Sequence, residues 1–398
     1  MLIARDENVG PDRLFRALPN LKELVVTCRY TSSPDGLIFA LLQHCHQLES
    51  LDMDLFYLGG GGGRRSGGGG YGPGHSSDRC RTDLKPKLAL KDCKMTFCRD
   101  SPPQAMDCVL DVLLRSPHLA SAKLPRFAPS QLSRLCRVFQ EQCPSIASLD
   151  LSALSKHHGD DEFASIFSSF RPNQIKSIIL NSCTLGVKTL DTILDQFADS
   201  IEVLKLEYAR GALPSEWIQR VLSQCGQLRH ISTESHVDRQ GLLSRVDVLR
   251  SPWVCSHLEV FRVPIIHVCA TVGCLHLTSR GDTTASIQSS GCCSAQVYSQ
   301  LAKMTRLREV SMASEDTPRW PAAEDVTLDW SIQGGLDKLA PLVHIESLQV
   351  STQSQRIGPL EMAWMKVYWP KLRVLTGVDL DTIAWALEYW PGLDIHAI

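Results

Sequence analysis

The residues best equipped for chemistry in this sequence are its cysteines and histidines, and six of them gather in one polar stretch. His267, Cys269, Cys274, His276, Cys292 and Cys293 fall within residues 265–294, a segment rich in Ser, Thr, Gly and Cys. Four such side chains can hold zinc tetrahedrally through thiolate sulfur and imidazole nitrogen. Zinc sites legible from sequence depend on paired spacing, typically C-x-x-C, whereas Cys269 and Cys274 stand five residues apart and no such pair occurs. The spacing favours reduced thiols in an irregular insertion, with zinc on Cys269, Cys274, His276 and Cys292 as the alternative. No metal and no cofactor is expected.

A second constellation, His157 and His158 followed by Asp160, Asp161 and Glu162, has the residue types of a metal cluster. It stands between a strand-like and a helix-like segment. An Asp there accepts from the free backbone N–H groups of a helix start, so Asp160 or Asp161 is read as a helix cap and the rest as solvated charge. No G-x-S-x-G, H-E-x-x-H, protein-kinase signature or dinucleotide fingerprint occurs, and no nucleophile, base and orienting group can be assembled. The chain is read as not an enzyme. Residues 59–74 hold five glycines, Arg64, Arg65 and Ser66, then four more glycines. A phosphate loop would need Gly-Lys-Ser/Thr opening a helix, and an RNA-binding tract more than two arginines. The stretch reads as a disordered insertion, because glycine buries no apolar area to offset its ordering entropy.

Composition narrows the classes further. The 398 residues carry a formal net charge of −2, with 43 % hydrophobic and 21 % charged residues. That leaves no basic field for nucleic acid. No run of eighteen apolar residues exists, so no membrane span is expected. The first residues lack a secretory h-region, and the fifteen cysteines are therefore expected to be reduced, in cytosol or nucleus.

The elements that must position these residues follow one recurring pattern: an apolar anchor, two residues, an apolar, one residue, an apolar. It occurs as Leu21/Leu24/Val26, Leu48/Leu51/Met53, Ile146/Leu149/Leu151, Ile175/Ile178/Leu180 and Ile201/Leu204/Leu206. It returns as Leu258/Phe261/Val263, Leu307/Val310/Met312 and Ile345/Leu348/Val350, with weaker copies at Leu119/Ala122/Leu124, Leu228/Ile231/Thr233 and Leu372/Leu375/Gly377. Leu21 to Leu48 is 27 residues, and from Leu119 the steps are 27, 29, 26, 27 and 30. Eleven triplets at such spacing are the mark of leucine-rich repeats, each with one short strand and one helix. The expected fold is an α/β leucine-rich-repeat solenoid, a curved right-handed horseshoe of 11–13 repeats of roughly 27 residues spanning 1–398 as one domain. Lys85/Leu88/Leu90 reads as a degraded triplet, which puts Cys93 in the turn slot of its repeat. Cys183 falls in the same slot eight residues after Ile175. Cys45, Cys143, Cys225 and Cys255 stand three residues before their anchors, where other repeats have Leu18, Met304, Leu342 and Trp369. That position reads as a buried seat in which Cys acts as a small hydrophobe.

Alternation along a strand sends the residues two, four and six after each anchor to the concave face. Asp52, Asp54, Asp150, Lys205, Glu207, His230 and Glu234 are the candidate partner-binding residues there, among short polar neighbours such as Ser50, Ser148, Ser232 and Ser347. Such a mixed surface suits a protein partner.

The carboxy-terminal third adds a more specific likeness. The runs AQVYSQLAKMTRLREV (295–310), GGLDKLAPL (334–342) and QRIGPLEMAWMKVYWPKLRVL (355–375) succeed one another. This succession resembles the leucine-rich-repeat, F-box-like proteins of early-diverging, Mortierella-type fungi, specifically over about 295–376. The resemblance implies substrate recognition for a cullin ubiquitin ligase, whose adaptor docks on an amino-terminal F-box. Repeat character starts here by Leu14 and no F-box is visible, so the adaptor is expected only for a longer product. The alternative is a repeat scaffold or inhibitor unrelated to ubiquitin. A monomer is expected.

Overall fold

The computed structural model describes residues 11–30, 35–57, 87–97, 103–154, 159–207, 213–233, 243–248, 250–266, 289–312, 328–350 and 357–396. They form two compact units, 1–157 with 169–174 and 158–168 with 175–398.

The first unit runs α1 (Pro11–Arg16), β1 (Glu23–Tyr30), α2 (Asp35–His44), β2 (Ser50–Tyr57), β3 (Asp92–Phe97), α3 (Pro103–Leu114), β4 (Ser121–Lys123), α4 (Pro129–Gln142) and β5 (Ser148–Asp150). Its strands pair in sequence order, all parallel. A parallel pair needs a long crossover, which the helices supply. Register follows the apolar pattern: Leu24, Leu51, Cys93, Ala122 and Leu149 lie side by side and are buried.

The second unit runs α5 (Asp160–Ser168), β6 (Ser177–Ile179), α6 (Val187–Phe197), β7 (Val203–Lys205), α7 (Ser215–Gln224), β8 (His230–Ser232), β9 (Leu243–Ser244), α8 (Arg245–Val248), β10 (Val260–Arg262) and β11 (Ile265–Ile266). It continues with α9 (Ser289–Leu301), β12 (Glu309–Ser311), β13 (Ser347–Gln349), α10 (Pro359–Tyr368), β14 (Val374–Thr376), α11 (Leu380–Tyr389) and β15 (Asp394–His396). Strands β6, β7, β8, β10, β12, β13, β14 and β15 are parallel neighbours in that order, while β9 and β11 pair separately. Ile178, Leu204, Ile231, Phe261, Val310, Leu348 and Leu375 form the buried column. Strand, helix and register together make an α/β leucine-rich-repeat solenoid.

Two details correct the sequence reading. In the repeat of β3 the apolar positions are Leu90, Cys93 and Met95, because Leu51 pairs with Cys93 and Met53 with Met95. Cys93 is therefore a core residue of the strand, not a turn residue. The shift arose because Leu88 and Leu90, both buried, mimic the end of a triplet. A further strand, β15, follows Leu393 and pairs Ile395 with Leu375. The stretch 265–294 opens in β11 and closes in α9, and 267–288 lie outside the described residues, as do 59–74, Lys85, His157 and His158.

The acidic run at 160–162 is structural, with one change. Asp160 opens α5 but caps α6 of the following repeat: its carboxylate accepts from Gly186 N at 3.0 Å, Lys188 N at 3.0 Å and Thr189 N at 2.9 Å. The Thr189 hydroxyl returns a bond to the Asp160 carbonyl at 2.8 Å. Partial burial pushes this carboxyl up, but the Thr189, Lys188 and Gly186 bonds outweigh it and hold its pKa below the ordinary carboxylate value. Gly186 is needed for the approach, since a Cβ there would meet the Asp160 carboxyl at 2.4 Å.

Two outcomes follow for stability. Leu204 is fully buried, and Leu204→Asp leaves an unpaired charge in the column, so cooperative melting should be lost; a soluble variant melting within a degree or two of the parent would remove Leu204 from the core. Asp160→Asn and Gly186→Ala should each lower stability by roughly 0.5–2 kcal/mol, the usual worth of a cap. Because the folded carboxyl holds its proton less tightly than the unfolded one, the Asp160 contribution is complete above the ordinary carboxylate value and is lost as pH falls through the folded one. The melting difference between the parent and Asp160→Asn should therefore shrink on acidification below that range, which thermal melts across pH can check.

Candidate functional site

Side chains pointing away from the buried columns form an open polar face in each unit. In the first unit the +4 positions run Val25, Asp52, Lys94, Lys123 and Asp150, in register. Lys94 Nζ lies 2.7 Å from Asp52 Oδ2, and Lys123 Nζ lies 3.4 Å from Asp150 Oδ2. The Asp52 carboxylate holds the Lys94 ammonium above its ordinary pKa. Thr96 Oγ1 donates to Asp54 Oδ1 at 2.5 Å, and Asp150 Oδ1 accepts from Ser152 N at 3.0 Å and Ser152 Oγ at 2.6 Å. All three predicted acids of this unit, Asp52, Asp54 and Asp150, are thus on the face and already partnered.

In the second unit Lys205, Ser232, Arg262, Ser311 and Gln349 occupy the +4 row. Glu207 accepts from Asn181 Nδ2 at 3.0 Å and Ser232 Oγ at 2.9 Å. Arg262 meets Glu309 at 2.5 Å, and Ser311 Oγ donates to Gln349 Oε1 at 3.0 Å. His230 differs from these. Its Nε2 is buried with no hydrogen-bond partner among the described residues. Burial first, then the nearby charges of Lys205 and Arg262, push its pKa down to about 4, so the ring is neutral near pH 7. Glu234 lies outside the described residues. The sequence reading missed Lys94, Arg262 and Glu309. Arg262 and Glu309 stand four and two residues after their anchors, a signal that was available. Lys94 was hidden by the misplaced register of its repeat.

A second row, one residue after each anchor, alternates in sign through the second unit: Lys176, Glu202, Arg229, Glu259, Arg308, Glu346, Arg373, and Asp394 after Leu393. Lys176 meets Glu202 at 3.0 Å, and Arg229 bridges Glu202 at 3.8 Å and Glu259 at 3.7 Å. The first unit repeats the motif, with Glu49 between Lys22 at 3.3 Å and Lys91 at 2.7 Å.

The four cysteine seats are core positions. Cys45, Cys143, Cys225 and Cys255 are fully buried, and burial pushes the Cys143, Cys225 and Cys255 thiols up to about 12. Cys143 Sγ donates to the Leu113 carbonyl of the preceding repeat at 3.6 Å, and Trp369 Nε1 makes the equivalent bond to Leu339 O at 3.1 Å. Ser116 fills the same seat, so it is not always apolar: its hydroxyl donates to Val112 O at 2.6 Å. Among the described residues no group of three or more His, Cys, Asp or Glu is placed to hold a metal ion. Cys269, Cys274 and His276 lie outside the described residues, and Cys292 sits in α9. No helix among the described residues is long and apolar enough to cross a membrane. Of the aromatic residues near the carboxy end, Trp364 stacks on Tyr368 (centroids 4.8 Å apart) and Trp385 on Tyr389 (5.1 Å), each within its own helix.

No protein-family model and no curated protein matches the chain. Among solved structures it is similar to the crystal structure of the Rad7 and Elc1 complex in yeast, at 13 % identity and a TM-score of 0.39, over 78 % of this chain and 80 % of that one. It is also similar to the TLR13–ssRNA13 complex, at 10 % identity and a TM-score of 0.35, over 97 % of this chain and 52 % of that one. Both likenesses are distant, and neither assigns a partner.

His230 generates an acid-sensitivity of known sign. Its folded pKa lies below its unfolded value, so its contribution to stability is full above the unfolded value of 6.5 and is lost as pH falls towards about 4. The imidazole resonances of His230 should titrate near pH 4 by NMR, and His230→Gln should flatten part of the stability loss between pH 6.5 and 4. A titration midpoint at 6 or above would mean that the ring is more solvated than its surroundings indicate.

Proposed function

We propose that the chain is a recognition module that binds a protein partner on its open polar faces, with Asp52, Asp54 and Asp150 acting in the first unit and Lys205, Glu207 and His230 in the second. The carrying observation is that these faces are built from side chains already held in place by their neighbours, such as Asp52 by Lys94 and Glu207 by Asn181 and Ser232. A surface ordered before binding loses little side-chain entropy on contact. Cations, carboxylates and short polar side chains are mixed along it, so a partner must match a pattern and not a field. That suits a folded protein or peptide with charges of both signs, and suits a nucleic-acid backbone poorly. Glu234 belongs to the same proposed set on its sequence position.

The finer reading is substrate recognition for a cullin ubiquitin ligase. It is supported by the sequence resemblance over 295–376 to F-box-like repeat proteins. The cullin adaptor would bind only through an F-box in a longer product.

The test compares charge reversals on the open faces (Asp52→Lys, Asp150→Lys, Lys205→Glu) with reversals on helix surfaces (Arg137→Glu, Lys303→Glu). Affinity purification with mass spectrometry from native cells identifies the partner. Each variant is then scored by direct binding to that purified partner and by thermal melting. Open-face variants should melt like the parent and lose at least about tenfold in affinity, the cost of a desolvated like-charge contact. Equal loss from the helix-surface set would move the interface off the open faces. Co-purification of the cullin adaptor with this chain alone would contradict the F-box requirement.

A further inference from the structure

We propose that a half-open cavity at the strand-entry edge of the second unit binds a phosphate monoester. The cavity has a volume of about 280 Å³ and is lined by Glu259, Arg306, Arg308, His344 and Lys371. Its composition follows from register. Arg308 N donates to Glu259 O at 2.8 Å, Glu346 N to Arg308 O at 2.7 Å and Arg373 N to Glu346 O at 2.8 Å. The residues just before the anchors Leu307, Ile345 and Leu372 are therefore stacked one strand apart, about 4.8 Å. Those residues are Arg306, His344 and Lys371, whereas three preceding repeats of the unit have Ser200, Gln227 and His257 at this position. The concentration of cations begins at Arg306.

Elsewhere along this edge Lys176 and Arg229 find carboxylates. Among the described residues Arg306, Arg308 and Lys371 form no ion pair. Glu259, the one acid of the cavity wall, is engaged by Arg229 at 3.7 Å. Lys371 Nζ instead lies 3.0 Å from His344 Nδ1. An ammonium can only donate, so the imidazole nitrogen is its acceptor. Like charges gathered without counter-charge cost stability, and an anion relieves that cost.

The type of anion follows from donor count and charge. A single guanidinium satisfies both oxygens of a carboxylate, whereas a phosphate offers oxygens enough for two guanidiniums and an ammonium. The three cations and Glu259 of the wall sum to a formal +2, which balances the roughly −1.5 to −2 of a phosphate monoester at pH 7. The monoester can come from a free phosphorylated metabolite or from a phosphorylated side chain on another protein. The site uses residues flanking the anchors and none from the open faces, so it does not depend on the function proposed above.

Titration calorimetry on the full chain at fixed ionic strength tests this with two probes: free O-phosphoserine, and a short phosphoserine peptide alongside its unphosphorylated twin. At least one phosphorylated probe should bind saturably with one site per chain. Arg306→Ala, Arg308→Ala and Lys371→Ala should each weaken it about tenfold or more, as loss of a charge-assisted bond does, while Lys303→Ala leaves it unchanged. All four side chains are exposed, so melting temperatures should not move. Tighter binding of the phosphopeptide than of free O-phosphoserine identifies a protein-borne phosphate, and the reverse order identifies a metabolite. The proposal is overturned if neither probe saturates, if the unphosphorylated twin binds as well, or if the three substitutions leave affinity unchanged.

Discussion

Parallel pairing in register places the same position of successive repeats side by side about 4.8 Å apart, and everything else in this molecule inherits that repetition. The buried column of the second unit, from Ile178 through Leu204, Ile231 and Phe261 to Leu375, is continuous although each strand is only three residues long. No repeat could bury its apolar side chains alone, so each depends on its neighbours. Each fully buried Leu or Ile adds roughly 1.5–3 kcal/mol, and the gain accrues only when the next repeat is in place. This explains why the column tolerates Cys93 and Ala122 in the first unit. What matters at those positions is exclusion of water and a fit between neighbours.

The same repetition acts on polar groups, with a different consequence. A charge placed at one repeat position meets whatever stands at that position one strand away, so sign alternation becomes favourable and sign repetition unfavourable. Exposed pairs such as Lys176–Glu202 are each worth little, of the order of 0–1 kcal/mol. Their value lies in registration, since a slip of one residue would break every contact in the row at once. On the open faces the effect is preorganisation. Asp52, Asp150 and Glu207 are held by Lys94, Lys123 and Asn181 before any partner arrives. Lys205 and His230 are the exception, an ammonium and a neutral imidazole whose polar ends find no such support.

Most of the repeat architecture was legible from the sequence, because its signal is the spacing of buried side chains, and burial there is nearly complete. Ile146, Ile175, Ile201 and Leu228 are all fully or almost fully buried, at 0–1 % exposure. Legibility failed where chemistry and spacing diverged. The β3 repeat was misplaced because Cys93 does not look like a core residue while Leu88 does. Strand β15 was missed because Leu393 follows Leu372 by 21 residues, short of the regular step. The role of Asp160 was correct in kind, but its target was the helix of the next repeat, a relation that local pattern cannot express. The positions of the open-face residues could be derived from alternation. Their partners could not, because Asp52 to Lys94 spans 42 residues and depends on a register that only the folded chain defines.

Register also sets the cationic cavity apart from the rest of its edge. Arg306, His344 and Lys371 in successive repeats lack the sign alternation that the adjoining row of Arg308, Glu346 and Arg373 shows. Stability alone would favour a carboxylate in place of His344, which would pair with both flanking cations. The departure sits on exposed side chains, where neither packing nor folding requires it. A local choice that runs against the molecule's own electrostatic pattern, with no gain in the free protein, is the kind expected where a site serves a ligand. In this respect the two surfaces differ physically: the open faces are largely satisfied internally, while the cationic cavity at the strand-entry edge holds cations without ion-pair partners among the described residues.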